Sequence, residues 1–147
     1  VTSPARRCIQ TLDAIWPDQA ARPRRSAEPR LWEQDFGAWE GVAYDKLPDL
    51  GALSLAALAA HRPPGGESFA DVCARTQAAL ADMLASRRGQ TLCLCAHAGS
   101  IRAALALALG AVSAALCFRI DYLSLTVLRH FGDARWSVDG VNQSLPA

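Results

Sequence analysis

The chain has little that would tie it to a polyanion, a membrane or an oxidising compartment. Fifteen Lys and Arg against fourteen Asp and Glu leave a formal charge of +1 over 147 residues. No overall field draws the protein to nucleic acid or anionic lipid, so any anion site must be local. Long apolar runs are also missing. The longest uncharged stretch, Ala103 to Phe118, is shorter than the roughly 20 residues of a membrane span, and Gly110 and Ser113 interrupt it. It reads as a buried helix leading into a strand. The first residues, Val1-Thr2-Ser3-Pro4, show no basic segment followed by an apolar one, so nothing marks the chain for export and the cytoplasm is the expected location. Five cysteines, an odd number with no CxxC pair, fit reduced thiols better than a disulfide framework. Methionine is nearly absent. The single one is Met83, so Val1 stands where a translation product carries Met, and further sequence upstream of Val1 is expected.

What is present is apolar enough to fold. With 51% hydrophobic against 20% charged residues, the composition predicts a compact globule, and residues 1–147 read as one domain without internal repeats. Ser3 as a cap and Pro4 at the first helical position predict a helix from Pro4 to about Ile15, ended by Trp16-Pro17. Asp18 to Arg30, with prolines and four arginines, reads as a solvated surface loop. Leu31 to Gly41 reads as a short strand and an ordered loop, Tyr44 to Leu47 as a helical turn, and Leu50 to His61 as a helix. Ser68 and Asp71 form a capping-box pattern. The apolar stripe that follows, Phe69, Val72, Cys73, Thr76, Leu80, Met83 and Leu84, predicts the best-defined helix, with Gly89 at its end. Thr91 to Ala96 is a continuous apolar run that predicts a central strand, followed by a helix from about Ile101 to Leu109 and a terminal hairpin around Gly132-Asp133. Helices feeding an apolar strand point to an α/β sandwich with a mostly parallel sheet.

In such a sheet, ligands bind beyond the carboxyl ends of strands, where helix N-termini face them. His97 follows the apolar strand, and Arg6 and Arg7 stand in the first turn of the first helix. A phosphate suits an arginine fork, helix-end N–H groups and an imidazole. Glu33, between Leu31 and Asp35-Phe36-Gly37, supplies a candidate acid. Cys93, Cys95 and His97 alternate as metal ligands on one strand face would. No fourth ligand stands nearby, and small cysteines filling a buried strand explain the pattern. No GxSxG elbow is present, which argues against a serine hydrolase.

Four segments in order carry a family likeness. Thr2-Ser3-Pro4-Ala5-Arg6-Arg7 with Gln10-Thr11, Leu31-Trp32-Glu33 with Asp35-Phe36-Gly37 and Trp39-Glu40-Gly41, Pro64-Gly65-Gly66-Glu67-Ser68, and Ala96-His97-Ala98-Gly99-Ser100-Ile101-Arg102 resemble the histidine phosphatase superfamily, which includes the cofactor-dependent phosphoglycerate mutases and small bacterial phosphomonoesterases. The resemblance implies a phosphoglycerate mutase-like three-layer α/β sandwich. It implies His97, Glu33 and Arg7 as catalytic residues, with Arg7, His97 and Glu67 binding substrate, and it needs no metal or other cofactor. It also implies attack by a first histidine to give phosphohistidine, with a carboxylate protonating the leaving alkoxide and then activating water. That first histidine belongs to an R-H-G motif at the end of the family's first strand. Here the histidines are His61, His97 and His130, so the first strand, first helix and nucleophile are expected to lie upstream of Val1. Ala98 departs from the family's usual Gly. The short interval from Glu33 to His97 favours a phosphatase over a glycolytic mutase, and the PGGES turn resembles the α-ribazole-phosphate phosphatases. The implied partner is a small phosphorylated substrate, with no nucleic acid or membrane; a homodimer stays open. The competing expectation is a catalytically silent domain that binds phosphate esters or serves a structural role.

Overall fold

The computed structural model describes residues 1–18 and 20–144. Its longest helix is the one with the strongest local signals. We label α1 Arg6–Ile15, α2 Leu55–Ala60, α3 Phe69–Ser86 and α4 Ala98–Leu109, with β1 Ser124–His130 and β2 Trp136–Ser144. Short 3₁₀ turns at Pro29–Leu31, Gly37–Trp39, Tyr44–Lys46 and Ser113–Cys117 connect them.

α3 opens on a reciprocal capping box: the Asp71 N–H donates to Ser68 Oγ at 3.2 Å and the Ser68 N–H donates to Asp71 Oδ2 at 2.8 Å. Its stripe is buried at Phe69, Val72, Cys73, Thr76, Leu80 and Met83, with Leu84 half-buried. The stripe faces two clusters. Phe69, Val72 and Cys73 pack with Ala103, Leu105 and Ala106 of α4, against which Leu128 and Val141 of the hairpin rest. Further along, Ala79 and Met83 pack on Leu31, with Leu92, Leu94 and Ala96 alongside. Each fully buried Leu or Val contributes roughly 1.5–3 kcal/mol through burial, so these two contacts fix the helical layer against both groups of extended chain. Gly110 ends α4 in a left-handed conformation (φ +65°) that a glycine adopts without strain.

The sheet differs from the expected one. Among the described residues, the paired strands form a two-stranded antiparallel hairpin, β1 with β2, in which His130 opposes Trp136 and Val127 opposes Gly140, with irregularities on either side of Val127. Among the described residues, the parallel pairing is limited to two bridges, Thr2 with Ala27 and Thr2 with Cys95. Thr91 to Ala96 is therefore extended but not a full strand. It pairs on one side with Val1 to Ser3, while the backbone groups of Leu92 and Leu94 on the other edge have no hydrogen-bonded neighbour among the described residues. A run that reads as buried on both faces accordingly leaves Cys93 exposed.

Other boundaries moved for local reasons. α1 starts at Arg6 because Thr2 and Ser3 are committed to extended pairing, the Ser3 N–H donating to the Cys95 carbonyl at 2.9 Å. Leu31 lies in a 3₁₀ turn capped by the Glu28 side chain, and the extended segment falls earlier, at Ser26 to Glu28. Ser54 caps α2, which begins later than the Leu50 expectation. Gln19, within the predicted loop, is outside the described residues, as are residues 145–147. Among the described residues, no helix is long and apolar enough to cross a membrane.

Candidate active site

The parallel bridges put Ser3 and His97 side by side at the carboxyl ends of adjacent extended segments. His97 is the N-cap of α4 and is 5% exposed. A buried imidazole must be hydrogen-bonded, and this one is. Arg7, in the first turn of α1, brings Nη2 to 2.9 Å and Nε to 3.3 Å from His97 Nδ1. Since a guanidinium only donates, Nδ1 accepts and the ring hydrogen sits on Nε2, which lies 2.8 Å from Ser3 Oγ. Burial holds the His97 pKa below its ordinary 6.5; Glu33 pulls it up, and the Arg7 and Arg75 cations push it down further. The imidazole is therefore neutral at pH 7.

Glu33 completes the group. Its Oε1 accepts from the N–H of Gly99 at 3.2 Å and of Gln34 at 3.1 Å, and its Oε2 stands 3.9 Å from His97 Nδ1. A Cβ on Gly99 would lie 2.5 Å from Glu33 Oε1, so glycine is what lets the carboxylate reach the start of α4. Arg7, Glu33, Trp32, Gln34 and Phe36 line a cleft of about 470 Å³. A second cavity, about 690 Å³, opens at the other end of the extended segments beside Val1 and Cys93 and contains none of these side chains.

Of the sequence candidates, the structure brings Arg7, Glu33 and His97 together. Glu67 lies next to the site with both oxygens occupied: Arg75 Nε donates to Oε1 at 2.9 Å, Arg75 Nη2 to Oε2 at 2.8 Å, and the Asp35 N–H to Oε2 at 3.1 Å. Arg75 holds the Glu67 carboxyl below its usual range. Arg6 is exposed and makes no side-chain hydrogen bond among the described residues. Arg102 donates to the Phe118 carbonyl at 2.8 Å and holds local structure. His61 stacks on Trp39 and His130 packs against Trp136, so neither joins the cleft. Cys93, Cys95 and His97 do not converge. Cys95 turns its Sγ toward the Cys8 carbonyl at 3.4 Å, and burial pushes its thiol up to about 11. Cys8 Sγ instead contacts the His97 ring, 3.6 Å from Nε2.

Ser3, Gly99 and Arg75 escaped sequence reasoning as site residues. Ser3 was legible only as a helix cap; the signal that could have found Arg75 is a charged residue set inside the apolar stripe of α3, eight positions after Glu67.

The docking of the loop that carries Glu33 depends on glycines. The Glu67 N–H donates to the Asp35 carbonyl at 2.7 Å and the Ala38 N–H to the Pro64 carbonyl at 2.9 Å, so two backbone segments lie in contact. A Cβ on Gly66 would meet the Asp35 carbonyl oxygen at 2.5 Å, and one on Gly37, already at φ +53°, would meet Pro64.

Comparison with known proteins shows the family. The family model of the histidine phosphatase superfamily (branch 1) matches residues 1–144. The bifunctional protein Rv2228c of Mycobacterium tuberculosis is 33% identical over 149 residues, a match covering 98% of this chain and 40% of the relative. The chain thus spans about two-fifths of the length of the curated relatives it matches. Among solved structures, a mycobacterial glucosyl-3-phosphoglycerate phosphatase, Rv2419c, with inorganic phosphate is 28% identical with a TM-score of 0.79, covering 97% of this chain and 75% of that one. The α-ribazole phosphatase of Shigella flexneri, 19% identical, shares the fold with a TM-score of 0.78 over 99% of this chain and 74% of its own. With the family model spanning residues 1–144 and three of its four motif segments meeting where Arg7 and Glu33 approach His97, the chain belongs to the histidine phosphatase superfamily.

Proposed function

We propose that this cleft hydrolyses a small phosphate monoester through a phosphohistidine, with the nucleophilic imidazole supplied by a segment outside the 147 residues. The observation that carries the reading is the convergence of Arg7 and Glu33 on His97 Nδ1, the guanidinium at 2.9 Å and the carboxylate at 3.9 Å. Phosphoryl transfer needs positioned charge more than covalent machinery. Arg7 exchanges its contact with His97 Nδ1 for a phosphate oxygen, the freed Nδ1 takes up a proton beside the phosphate dianion and hydrogen-bonds to another oxygen, and Glu33 protonates the leaving alkoxide and then activates water. What supports an outside nucleophile is the placing of the histidines: among the described residues, His97 is the one imidazole beside Arg7 and Glu33. An extended segment pairing along the free edge of Leu92 and Leu94 would run out beside His97, which supports that route of entry. Glu67 contributes to substrate binding indirectly, by holding with Arg75 the segment that carries Glu33. Five free thiols fit a reducing, cytoplasmic setting.

α-Ribazole phosphate, favoured by the PGGES turn and compact length, and glucosyl-3-phosphoglycerate, the substrate named for a neighbouring structure, are both small phosphate monoesters. They are the first two to assay. The test is turnover of p-nitrophenyl phosphate by the full gene product. Turnover lost in His97→Ala, together with an in-frame R-H-G upstream of Val1, supports the phosphatase. Orthophosphate binding without turnover, in a folded product lacking that motif, favours the silent phosphate-binding domain, the second reading that a single imidazole beside Arg7 and Glu33 supports.

A further inference from the structure

We infer that Arg75 is a positioning residue for Glu33, an inference that rests on the phosphatase reading only for the role of Glu33 in turnover. The guanidinium has five N–H donors in a planar fork, and all five are used. Nη1 donates to the carbonyls of Arg30 and Trp32, both at 2.8 Å; Nη2 donates to the Glu33 carbonyl at 3.0 Å and to Glu67 Oε2 at 2.8 Å; Nε donates to Glu67 Oε1 at 2.9 Å. One side chain therefore ties three carbonyls of the segment ending in Glu33 to α3. The bidentate Glu67 fixes the plane of the fork, and Glu67 is held in turn by the Asp35 N–H just beyond Glu33. The same segment is pinned from the other side by α4, where Ser100 Oγ donates to the Leu31 carbonyl at 2.9 Å.

Between these two fixings the Glu33 backbone has one orientation, and its side chain reaches both the Gly99 N–H and His97. A lysine in place of Arg75 keeps the charge but offers three donors from one atom, too few and wrongly directed for three carbonyls and a carboxylate. The carboxylate of Glu33 then loses its fixed distance to His97 although α3 still packs through its apolar stripe.

A double-mutant cycle on the His97 pKa, followed by NMR in the chain as it stands, reads the position of Glu33 directly. The groups that face this imidazole are Arg7 and Cys8 from α1, Glu33 from its loop and Arg75 from α3. In the wild type, Glu33→Gln lowers the His97 pKa because an anion beside the ring is removed. In an Arg75→Lys background the same substitution is expected to lower it by no more than about half as much. An undiminished effect overturns the inference, since a merely structural Arg75 would change the melting temperature and leave the coupling alone. Should Arg75→Lys fail to fold, Glu67→Gln releases the fork while keeping the guanidinium; the coupling is again expected to shrink, and its persistence overturns the inference. Turnover of p-nitrophenyl phosphate by the full gene product separates the two claims: an inactive full product counts against the proposed function and leaves the coupling result standing.

Discussion

Arg7 Nη2 sits 2.9 Å from His97 Nδ1, a contact that joins the first turn of α1 to the cap of α4 across 90 residues of sequence. It settles which ring nitrogen accepts, and it places a cation where a phosphate oxygen would compete for it. Removing Arg7 takes away a positive charge and a donor to Nδ1, so in Arg7→Ala the His97 pKa is expected to rise. The dissociation constant for orthovanadate should rise about 10- to 100-fold, the loss expected of a charge-assisted pair. NMR titration and calorimetry check both. A weakening below tenfold would place the anion elsewhere.

His97 also predicts a pH dependence of stability. Its folded pKa is below the ordinary 6.5, chiefly through burial, so on acidification the unfolded chain takes up this proton before the folded one does. The stabilisation is complete above 6.5 and is lost as the pH falls from there through the folded pKa, with a slope of at most about 1.4 kcal/mol per pH unit for one proton. Glu67 and Asp71 have lowered values of their own, and their contributions vanish in a separate, more acid window below the ordinary carboxylate range. Urea midpoints measured downward from pH 7 should therefore fall in two stages. In His97→Gln the first stage should disappear; if it persists, another group is titrating.

What could be read from the sequence was what short spacings decide. The capping box at Ser68 and Asp71 and the stripe from Phe69 to Met83 lie within one helix, so their pattern is sufficient to define it. Arg7, Glu33 and His97 were legible because each stands in a motif of its own, although nothing in their spacing states that they meet. Ser3 misled because its partners, Cys95 and His97, lie far along the chain: a hydroxyl that can cap a helix was instead drawn into extended pairing. Arg75 went unread for the same reason. Its carboxylate partner is near in sequence, but the three carbonyls it gathers come from a loop more than forty residues earlier. The apolar run of Thr91 to Ala96 signalled burial on both faces, yet pairing depends on neighbours, and one of its edges has none among the described residues.

The adjacent glycines of the PGGES turn should respond differently to the same methyl group. Gly65 has φ +73° with open space around its missing Cβ, so Gly65→Ala meets backbone strain alone, costing about 1 kcal/mol. Gly66→Ala would drive a Cβ into the Asp35 carbonyl and the Gly37 nitrogen, 2.5 and 2.8 Å away, where only backbone movement relieves the clash. We expect about 2 kcal/mol or more of destabilisation, with separation of the loop carrying Glu33 from the turn. Chemical denaturation of the two variants ranks them. Equal costs would mean that the loop yields without resistance.

Gly99→Ala isolates the carboxylate from the fold. Gly99 lies within α4, where alanine is the better helix former by about 1 kcal/mol, and the atom its Cβ would meet, at 2.5 Å, is the end of the Glu33 side chain. A side-chain tip can turn away, so the helix should gain or lose little while the Glu33 carboxylate leaves the Gly99 N–H and His97. Two consequences separate this from a general disturbance. The His97 pKa should fall, because a nearby anion has gone, and turnover of p-nitrophenyl phosphate by the full gene product should drop about 100-fold or more if Glu33 is the proton donor, within the 10²–10⁴ range of general acid catalysis. Ala98, one position earlier, provides the comparison: Ala98→Gly restores the family's usual residue without touching Glu33, and its His97 pKa should match the wild type. If Gly99→Ala lowers the His97 pKa yet keeps full turnover, Glu33 is not the group that protonates the leaving alkoxide.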